Sequence, residues 1–84
     1  MSQTLNKIIN EYPEDDFIVA DGFSEAVVGV DLDSRRLIYS VSRCIDILVY
    51  EDDMIVEDAI DYFEKTIRKS FPEGIGPIWA NIEI

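Results

Sequence analysis

The chain has 84 residues, of which 48% are apolar and 11% aromatic, and its formal net charge is −11. This length fits one domain, residues 1–84, with a shallow core, and the apolar content argues against disorder. A single cysteine and the absence of histidine exclude a disulfide framework, a cysteine-based zinc site and histidine-dependent catalysis. We therefore expect no cofactor and no metal ion.

The acidic charge lies mostly in residues 1–33 and 51–84, while residues 34–50 carry three arginines against one aspartate. Direct binding to nucleic acid or to an anionic membrane is disfavoured, because both require several neutralising basic contacts. The N-terminal residues lack the features of a secretory signal, and no apolar run is long enough for a membrane span. We expect a cytoplasmic protein, in which Cys44 is a buried core residue.

The first half of the chain predicts one helix followed by three strands. Leu5, Ile8 and Ile9 recur at helical spacing, and Tyr12-Pro13 ends the run. Asp21-Gly22 is a typical turn dipeptide. The strands are predicted at residues 17–20, 26–30 and 37–41, with a hairpin between the last two. A calcium loop at Asp31 and Asp33 is a weaker interpretation of that hairpin, since most of its further ligands are absent.

The second half predicts two helices and a final strand. Residues 42–50 fit either a helix or a strand, and we favour a helix with Ser40 or Ser42 as its N-cap. Residues 55–70 form the clearest helix, and residues 78–84 alternate as a strand. The apolar stripe expected to face the core from the long helix consists of Val56, Ala59, Ile60, Phe63 and Ile67.

These elements predict an α+β domain of the order α-β-β-β-α-α-β. Two or three helices would cover a small antiparallel sheet of about four strands, and the last strand would pair with one of the first three.

Several segments, spread over residues 21–79, also resemble a family of short, mostly uncharacterised phage and prophage proteins. The matching segments are Asp21-Gly22-Phe23-Ser24-Glu25-Ala26-Val27-Val28-Gly29-Val30, Leu37-Ile38-Tyr39-Ser40-Val41, Cys44-Ile45-Asp46-Ile47-Leu48, Met54, Glu57-Asp58-Ala59-Ile60-Asp61-Tyr62-Phe63-Glu64 and Pro77-Ile78-Trp79. The chain departs from the family pattern between residues 65 and 76. The resemblance implies a phage-type origin and a helix at residues 42–50, and it implies no activity.

Two carboxylate pairs are candidate acid–base catalysts: Asp21 with Glu25, and Asp52 with Asp53. Catalytic carboxylates need burial or a paired environment, and both pairs fall in segments that are typical of exposed turns. We therefore expect a protein that is not an enzyme.

A second hypothesis assigns function to the acidic surface. Acids along the long helix, from Asp53 through Glu57 and Asp61 to Glu64, would lie on one stripe and could imitate nucleic acid. Asp61 with Lys65 and Glu64 with Arg68 are also ordinary i, i+4 pairs. The remaining cluster is the predicted binding site: Glu51, Asp52, Asp53, Glu57 and Asp58.

The favoured function is binding to a host protein with a basic, nucleic-acid-binding surface, which the chain would inhibit or modulate by occupying it. Anti-defence and anti-CRISPR decoys are proteins of this type. The alternative is a homo-oligomeric accessory protein whose acids serve only solubility. Its contact surface would consist of Ile47, Tyr50, Tyr62 and Trp79, and these residues are also candidates for partner binding.

Overall fold

The computed structural model describes residues 3–72 and 74–81. These residues form an α+β fold, as predicted, with three α-helices and a three-stranded mixed sheet. In chain order the elements are α1 (Gln3–Glu11), a 3₁₀ turn (Ser24–Ala26), β1 (Val27–Asp31), β2 (Arg36–Ser40), α2 (Val41–Glu51), α3 (Val56–Tyr62), a π turn (Phe63–Ile67) and β3 (Ile78–Ala80).

The sheet order is β1-β2-β3, with β1 antiparallel and β3 parallel to β2. The prediction of a wholly antiparallel sheet is therefore wrong. The chain leaves β2, passes through α2 and α3 and returns beside β2 in the same direction, which makes this pair parallel. Within the described residues the final strand is shorter than predicted, and its expected continuation at Ile82, Glu83 and Ile84 lies outside them.

Residues 17–20 do not form the predicted strand. The last of them, Ala20, uses its backbone groups elsewhere. Its N–H donates to the Tyr39 hydroxyl over 2.8 Å, and its carbonyl accepts from the Phe23 N–H over 3.0 Å. The second bond closes a turn at Asp21-Gly22 in which Gly22 has φ +89°. Glycine adopts that conformation without steric cost, so the predicted turn is confirmed.

Helix α2 follows β2 without a connecting loop, since Ser40 ends the strand and caps the helix. The Ser40 Oγ accepts a hydrogen bond from the Arg43 N–H over 3.3 Å. Cys44 and Leu48 are buried on the inner face, and the predicted helix is confirmed. Burial raises the pKa of the Cys44 thiol to about 12, as expected for a core cysteine.

The core centres on three aromatic rings. Trp79 lies 5.2 Å from the ring of Tyr39 and 5.2 Å from the ring of Phe63, centroid to centroid. Tyr39 and Trp79 are partners in the parallel register, and Phe63 packs on them from the helical layer. Tyr39 and Phe63 are fully buried, so these contacts join the two layers.

The apolar stripe predicted for residues 55–70 is only partly buried. Ala59 and Phe63 are in the core, whereas Val56 and Ile60 are exposed. The helix continues from Phe63 as a π turn, in which the backbone N–H of Arg68 donates to the Phe63 carbonyl over 2.9 Å. Such a π turn contains one more residue than an α-helical turn, which rotates the following side chains by roughly 100°. Ile67, the last residue of this turn, is half-buried and still packs against the core, as the predicted stripe requires.

The buried Tyr39 hydroxyl provides a test of the fold. Tyr39→Phe keeps the ring but leaves the buried Ala20 N–H without its partner, which should lower the free energy of unfolding by about 1–3 kcal/mol. Urea denaturation measures the change. Tyr50→Phe removes the hydroxyl of a side chain that is 80% exposed and serves as the control. Equal stability of the two variants would contradict the assigned hydrogen bond.

The raised pKa values of Cys44 and Tyr39, both caused by burial, predict a loss of stability at high pH. The unfolded thiol ionises near pH 9, whereas the folded thiol stays protonated to about pH 12. The free energy of unfolding should therefore be unaffected by the thiol below pH 9 and fall as the pH rises from there. Denaturation of the wild type and of Cys44→Ala at several pH values measures this effect. Identical alkaline slopes for the two proteins would contradict it.

Candidate functional site

A cleft of about 450 Å³ opens between the Asp21-Gly22 turn, the C-terminal half of α2 and the α3–π segment. Its apolar lining comes from Phe23, Ile47, Leu48, Tyr62 and Ile67. Phe23 and Leu48 are buried, Ile47 and Ile67 are half-buried, and Tyr62 is 39% exposed. The cleft thus has an apolar floor with accessible side chains around it.

Among the residues that the structure describes, all charged side chains that line this cleft are acidic. Asp21 and Glu25 lie on the side of the turn, and Glu51 and Asp52 lie at the end of α2. All four residues are exposed. The cleft is therefore complementary to a cationic group that also carries apolar surface.

Local structure positions the two walls. The turn that carries Asp21 is held by the hydrogen bond from the Ala20 N–H to the buried Tyr39 hydroxyl. Helix α2 is fixed at its other end by the Ser40 cap. Its geometry places Ile47 and Glu51, four residues apart, on one face. Tyr62 ends α3, and Ile67, the last residue of the π turn, also lines the cleft.

The five acids predicted as a binding site divide into two groups with opposite electrostatics. Glu51 is the last residue of α2 and Asp52 its C-cap, where a helix dipole disfavours negative charge. Glu57 and Asp58 lie in the first turn of α3, where the dipole favours it. Only Glu51 and Asp52 are in the cleft. Their placement costs stability, whereas Glu57 and Asp58 support their own helix.

Asp53 has a conformational role. It is outside α3, so the predicted stripe through Asp53, Glu57, Asp61 and Glu64 does not lie on one helix. Its φ is +55°, the left-handed conformation that commonly follows a helix end. The next residue, Met54, donates its N–H to the Leu48 carbonyl over 3.3 Å and closes the chain reversal.

The predicted ion pairs of the α3–π segment are present. Lys65 Nζ lies 3.0 Å from Asp61 Oδ1, and Arg68 Nε lies 3.2 Å from Glu64 Oε2. The side-chain Nε–H of Arg68 is not aligned for a hydrogen bond, so the second contact is a charge pair. The Arg68 guanidinium also lies 5.6 Å from the centroid of the Phe63 ring. Asp61 and Glu64 are thus partly neutralised.

The four residues predicted as an aromatic and aliphatic surface lie in different places. Ile47 and Tyr62 line the cleft, and Tyr50 projects from α2 with 80% of its surface exposed. Trp79 is half-buried in the core and lines a separate pocket with Arg36 and Arg68. Arg36 Nε donates to the Gly76 carbonyl over 2.6 Å and holds the loop that enters β3.

The carboxylates considered for catalysis or metal binding have structural environments typical of turns. Asp21 and Glu25 are exposed on the cleft wall. Asp31 accepts hydrogen bonds from the Asp33 N–H and the Ser34 hydroxyl, which stabilises the β1–β2 turn. Among residues 3–72 and 74–81, no three potential ligands are grouped as a metal site would require.

Sequence reasoning identified most residues of the cleft but did not place them together. The sequence indicates Asp21 and Glu25 only as candidates for catalysis, and it indicates Ile67 as a core residue, which the structure confirms while also placing Ile67 at the cleft. The missing information was tertiary: the turn at Asp21 is about 30 residues from the end of α2 in the sequence. The Asp21-Gly22 dipeptide predicts a turn, but it does not predict that this turn packs beside the end of α2.

Comparison with protein families, with curated proteins and with solved structures finds no match to this chain. Within the described part of the chain, no helix combines the length and the apolar composition that crossing a bilayer requires.

The two acidic groups predict stability changes of opposite sign. Glu51→Gln with Asp52→Asn removes charge from a helix C-terminus and should raise the free energy of unfolding by about 0.3–1 kcal/mol. Glu57→Gln with Asp58→Asn removes charge from a helix N-terminus and should lower it by a similar amount. Each variant removes two negative charges, so any gain in stability from weaker repulsion among the acids should be the same in both. Thermal and urea denaturation at low salt measure the effect, and a change of the same sign and size in both would contradict it.

Proposed function

We propose that this chain is a protein-binding module whose cleft receives a basic segment of a partner protein. The observation that carries the proposal is the lining of the cleft, where apolar side chains from three segments are surrounded by Asp21, Glu25, Glu51 and Asp52. Acidic charge steers a basic partner and the apolar floor holds it after contact.

The partner that best fits this chemistry is a protein with a nucleic-acid-binding surface. Such surfaces carry clustered lysine and arginine, whose aliphatic stems pack on apolar side chains while the charged groups face carboxylates. Binding here would inhibit or modulate the partner by occupying the site that otherwise holds phosphate. No catalytic step is part of the proposal.

The position of Glu51 and Asp52 supports a role beyond solubility. Charges that serve only solubility can be placed at many surface positions, including those that favour a helix dipole. These two acids lie at the end of α2 where the dipole opposes them, next to two further acids across the cleft. The phage-type origin implied by the resemblance is compatible with an inhibitor of a host protein and stays a prediction, as does the cytoplasmic location.

The test uses the immobilised protein to capture partners from a bacterial lysate treated with nuclease, with elution by increasing salt and identification by mass spectrometry. The Glu51→Gln/Asp52→Asn variant should lose the captured protein, whereas the isoelectric Glu57→Gln/Asp58→Asn variant should retain it. A purified captured protein should release bound DNA or RNA when the wild-type chain is added. Equal losses in the two variants would mean that net charge, and not the cleft, causes binding.

A separate variant tests the apolar floor. Tyr62→Ala removes an accessible ring from the cleft and should weaken partner binding at least tenfold, as truncation of an aromatic anchor commonly does. Tyr50→Ala removes a more exposed ring that lies outside the cleft and should change binding little. Isothermal titration with the purified partner measures both. Equal affinity of Tyr62→Ala and the wild type would mean that the acidic side chains bind the partner without a contribution from the apolar residues of the cleft.

A further inference from the structure

A second cavity, of about 370 Å³, lies between the start of β2, the segment after the π turn and the loop that enters β3. In the part of the chain that the structure describes, its charged lining comes from two arginines. The cavity thus differs in charge from the acidic cleft, although the net charge of the chain is −11. We refer to it as the arginine pocket, which is lined by Arg36, Arg68, Phe71, Pro72, Pro77 and Trp79.

The Arg36 side chain is oriented in this pocket by neutral groups. Its Nε donates to the Gly76 carbonyl over 2.6 Å, and its Nη2 donates to the Pro77 carbonyl over 3.4 Å. A guanidinium has five N–H donors, so these two bonds leave three donors for a ligand. Carbonyl groups do not cancel the positive charge, and Arg36 is half-buried, where water screens that charge less than at the open surface.

The acid opposite Arg36 in the sheet does not neutralise it. Asp31 is the partner of Arg36 in the antiparallel register, a position from which opposite charges commonly pair. The two Asp31 carboxylate oxygens instead accept hydrogen bonds from the Asp33 N–H and the Ser34 hydroxyl. Among the residues that the structure describes, no acid forms an ion pair with Arg36. Its positive charge is therefore available to an anion in the pocket.

Arg68 contributes less charge than Arg36, because Glu64 lies beside it. The Arg68 Nε is 3.2 Å from Glu64 Oε2, and the Arg68 side chain is 36% exposed. Its Nε–H has no hydrogen-bond acceptor. Arg68 therefore adds hydrogen-bond donors to the pocket, whereas recognition of negative charge depends on Arg36.

The rest of the lining is apolar and is formed without a ligand. The half-buried rings of Trp79 and Phe71 lie 6.1 Å apart, centroid to centroid. The Gly76 N–H donates to the Pro72 carbonyl over 3.2 Å and holds the adjoining loop. A Cβ at Gly76 would lie 2.7 Å from the Phe71 Cβ, so this loop packs closely on the ring. Aromatic and proline surface of this kind favours a ligand that also carries apolar surface.

We propose that the arginine pocket binds a small organic anion in which a carboxylate or phosphate group is attached to a planar ring. The anionic group accepts hydrogen bonds from the three remaining N–H donors of Arg36, and the ring packs on Trp79 and Phe71. The volume of the pocket is within the range of small-molecule sites. A long polyanion is disfavoured, because the acidic remainder of the chain repels it. This proposal is independent of the acidic cleft.

Titration of the ¹⁵N-labelled protein with phenylacetate and with adenosine 5′-monophosphate tests the proposal. Trp79 is the only tryptophan of the chain, so its indole N–H gives a single resonance. This resonance and the backbone amides of Phe71 and Gly74 should shift, and those of Ile47 and Asp52 in the acidic cleft should not. Binding of either anion supports the proposal and identifies the group that is recognised. The absence of shifts with both anions at millimolar concentration would overturn it.

Matched ligands separate the contribution of charge from that of the ring. Phenylacetamide and adenosine keep the ring but lack the anionic group, and they should bind at least tenfold more weakly than the anions. Acetate and inorganic phosphate keep the charge but lack the ring, and they should also bind more weakly. Equal binding of the charged and the neutral ligands would overturn the role of Arg36, and equal binding of the ring-free anions would overturn the role of the aromatic rings.

A pair of variants tests Arg36 directly. Arg36→Gln should abolish the preference for phenylacetate over phenylacetamide. Arg43→Gln gives the same net charge by substitution of an exposed residue of α2, and it should keep the wild-type preference. The ratio of the two affinities is the deciding measurement, because loosening of the loop at Gly76 would weaken both ligands alike. A wild-type ratio in folded Arg36→Gln would overturn the assignment, and if this variant does not fold, the matched ligands on the wild type decide.

Discussion

The fully buried Tyr39 side chain makes the contacts that hold the layers of this fold together. Its ring contacts Trp79 across the parallel strand pair, and Trp79 in turn contacts Phe63 from the helical layer. Its hydroxyl accepts the hydrogen bond of the Ala20 N–H, 19 residues earlier in the chain. One residue therefore joins the sheet, the helices and the irregular segment before β1. In a domain of 84 residues with a shallow core, such a connection replaces what a larger apolar interior would provide.

The same residue links the core to the candidate site. Ala20 directly precedes the Asp21-Gly22 turn, which forms one wall of the acidic cleft. The opposite wall, at the end of α2, begins from the strand that contains Tyr39, because Ser40 both ends β2 and caps α2. The two walls are thus positioned from adjacent residues of β2. The exposed carboxylates of the cleft are therefore positioned by buried residues of the sheet, which preorganises the cleft.

Helix electrostatics distinguishes the acids of the cleft from the acids that support the fold. The net charge does not distinguish among the 18 carboxylates of the chain. Their position on the helices distinguishes them, since Glu57 and Asp58 begin a helix and Glu51 ends one. An unfavourable position at a surface cleft is a physical reason to assign function, because the fold gains nothing from it.

Local signals in the sequence predicted the α+β class, the Asp21-Gly22 turn, a serine cap at Ser40 or Ser42 and the two i, i+4 ion pairs. Each of these depends on residues close together in the chain, and the structure selects Ser40 as the cap. The strand expected at residues 17–20 failed because the Tyr39 hydroxyl, a distant group, takes the Ala20 N–H. Ile67, predicted as a core residue, packs against the core and also lines the cleft, and helical spacing alone does not predict that second contact. The cleft itself required the packing of three separate segments, so its acidic lining was predicted only in part.

Amide chemical shifts can distinguish recognition of the cleft by a basic partner from attraction by net charge alone. The ¹⁵N-labelled protein is titrated with a short synthetic amphipathic peptide rich in arginine and leucine. If the cleft is the binding site, the shifts should be concentrated at Asp21, Ile47, Asp52, Tyr62 and Ile67 and be small at Glu57 and Asp58. Shifts of equal size along every acidic segment would instead mean that the carboxylates are a general solubilising surface.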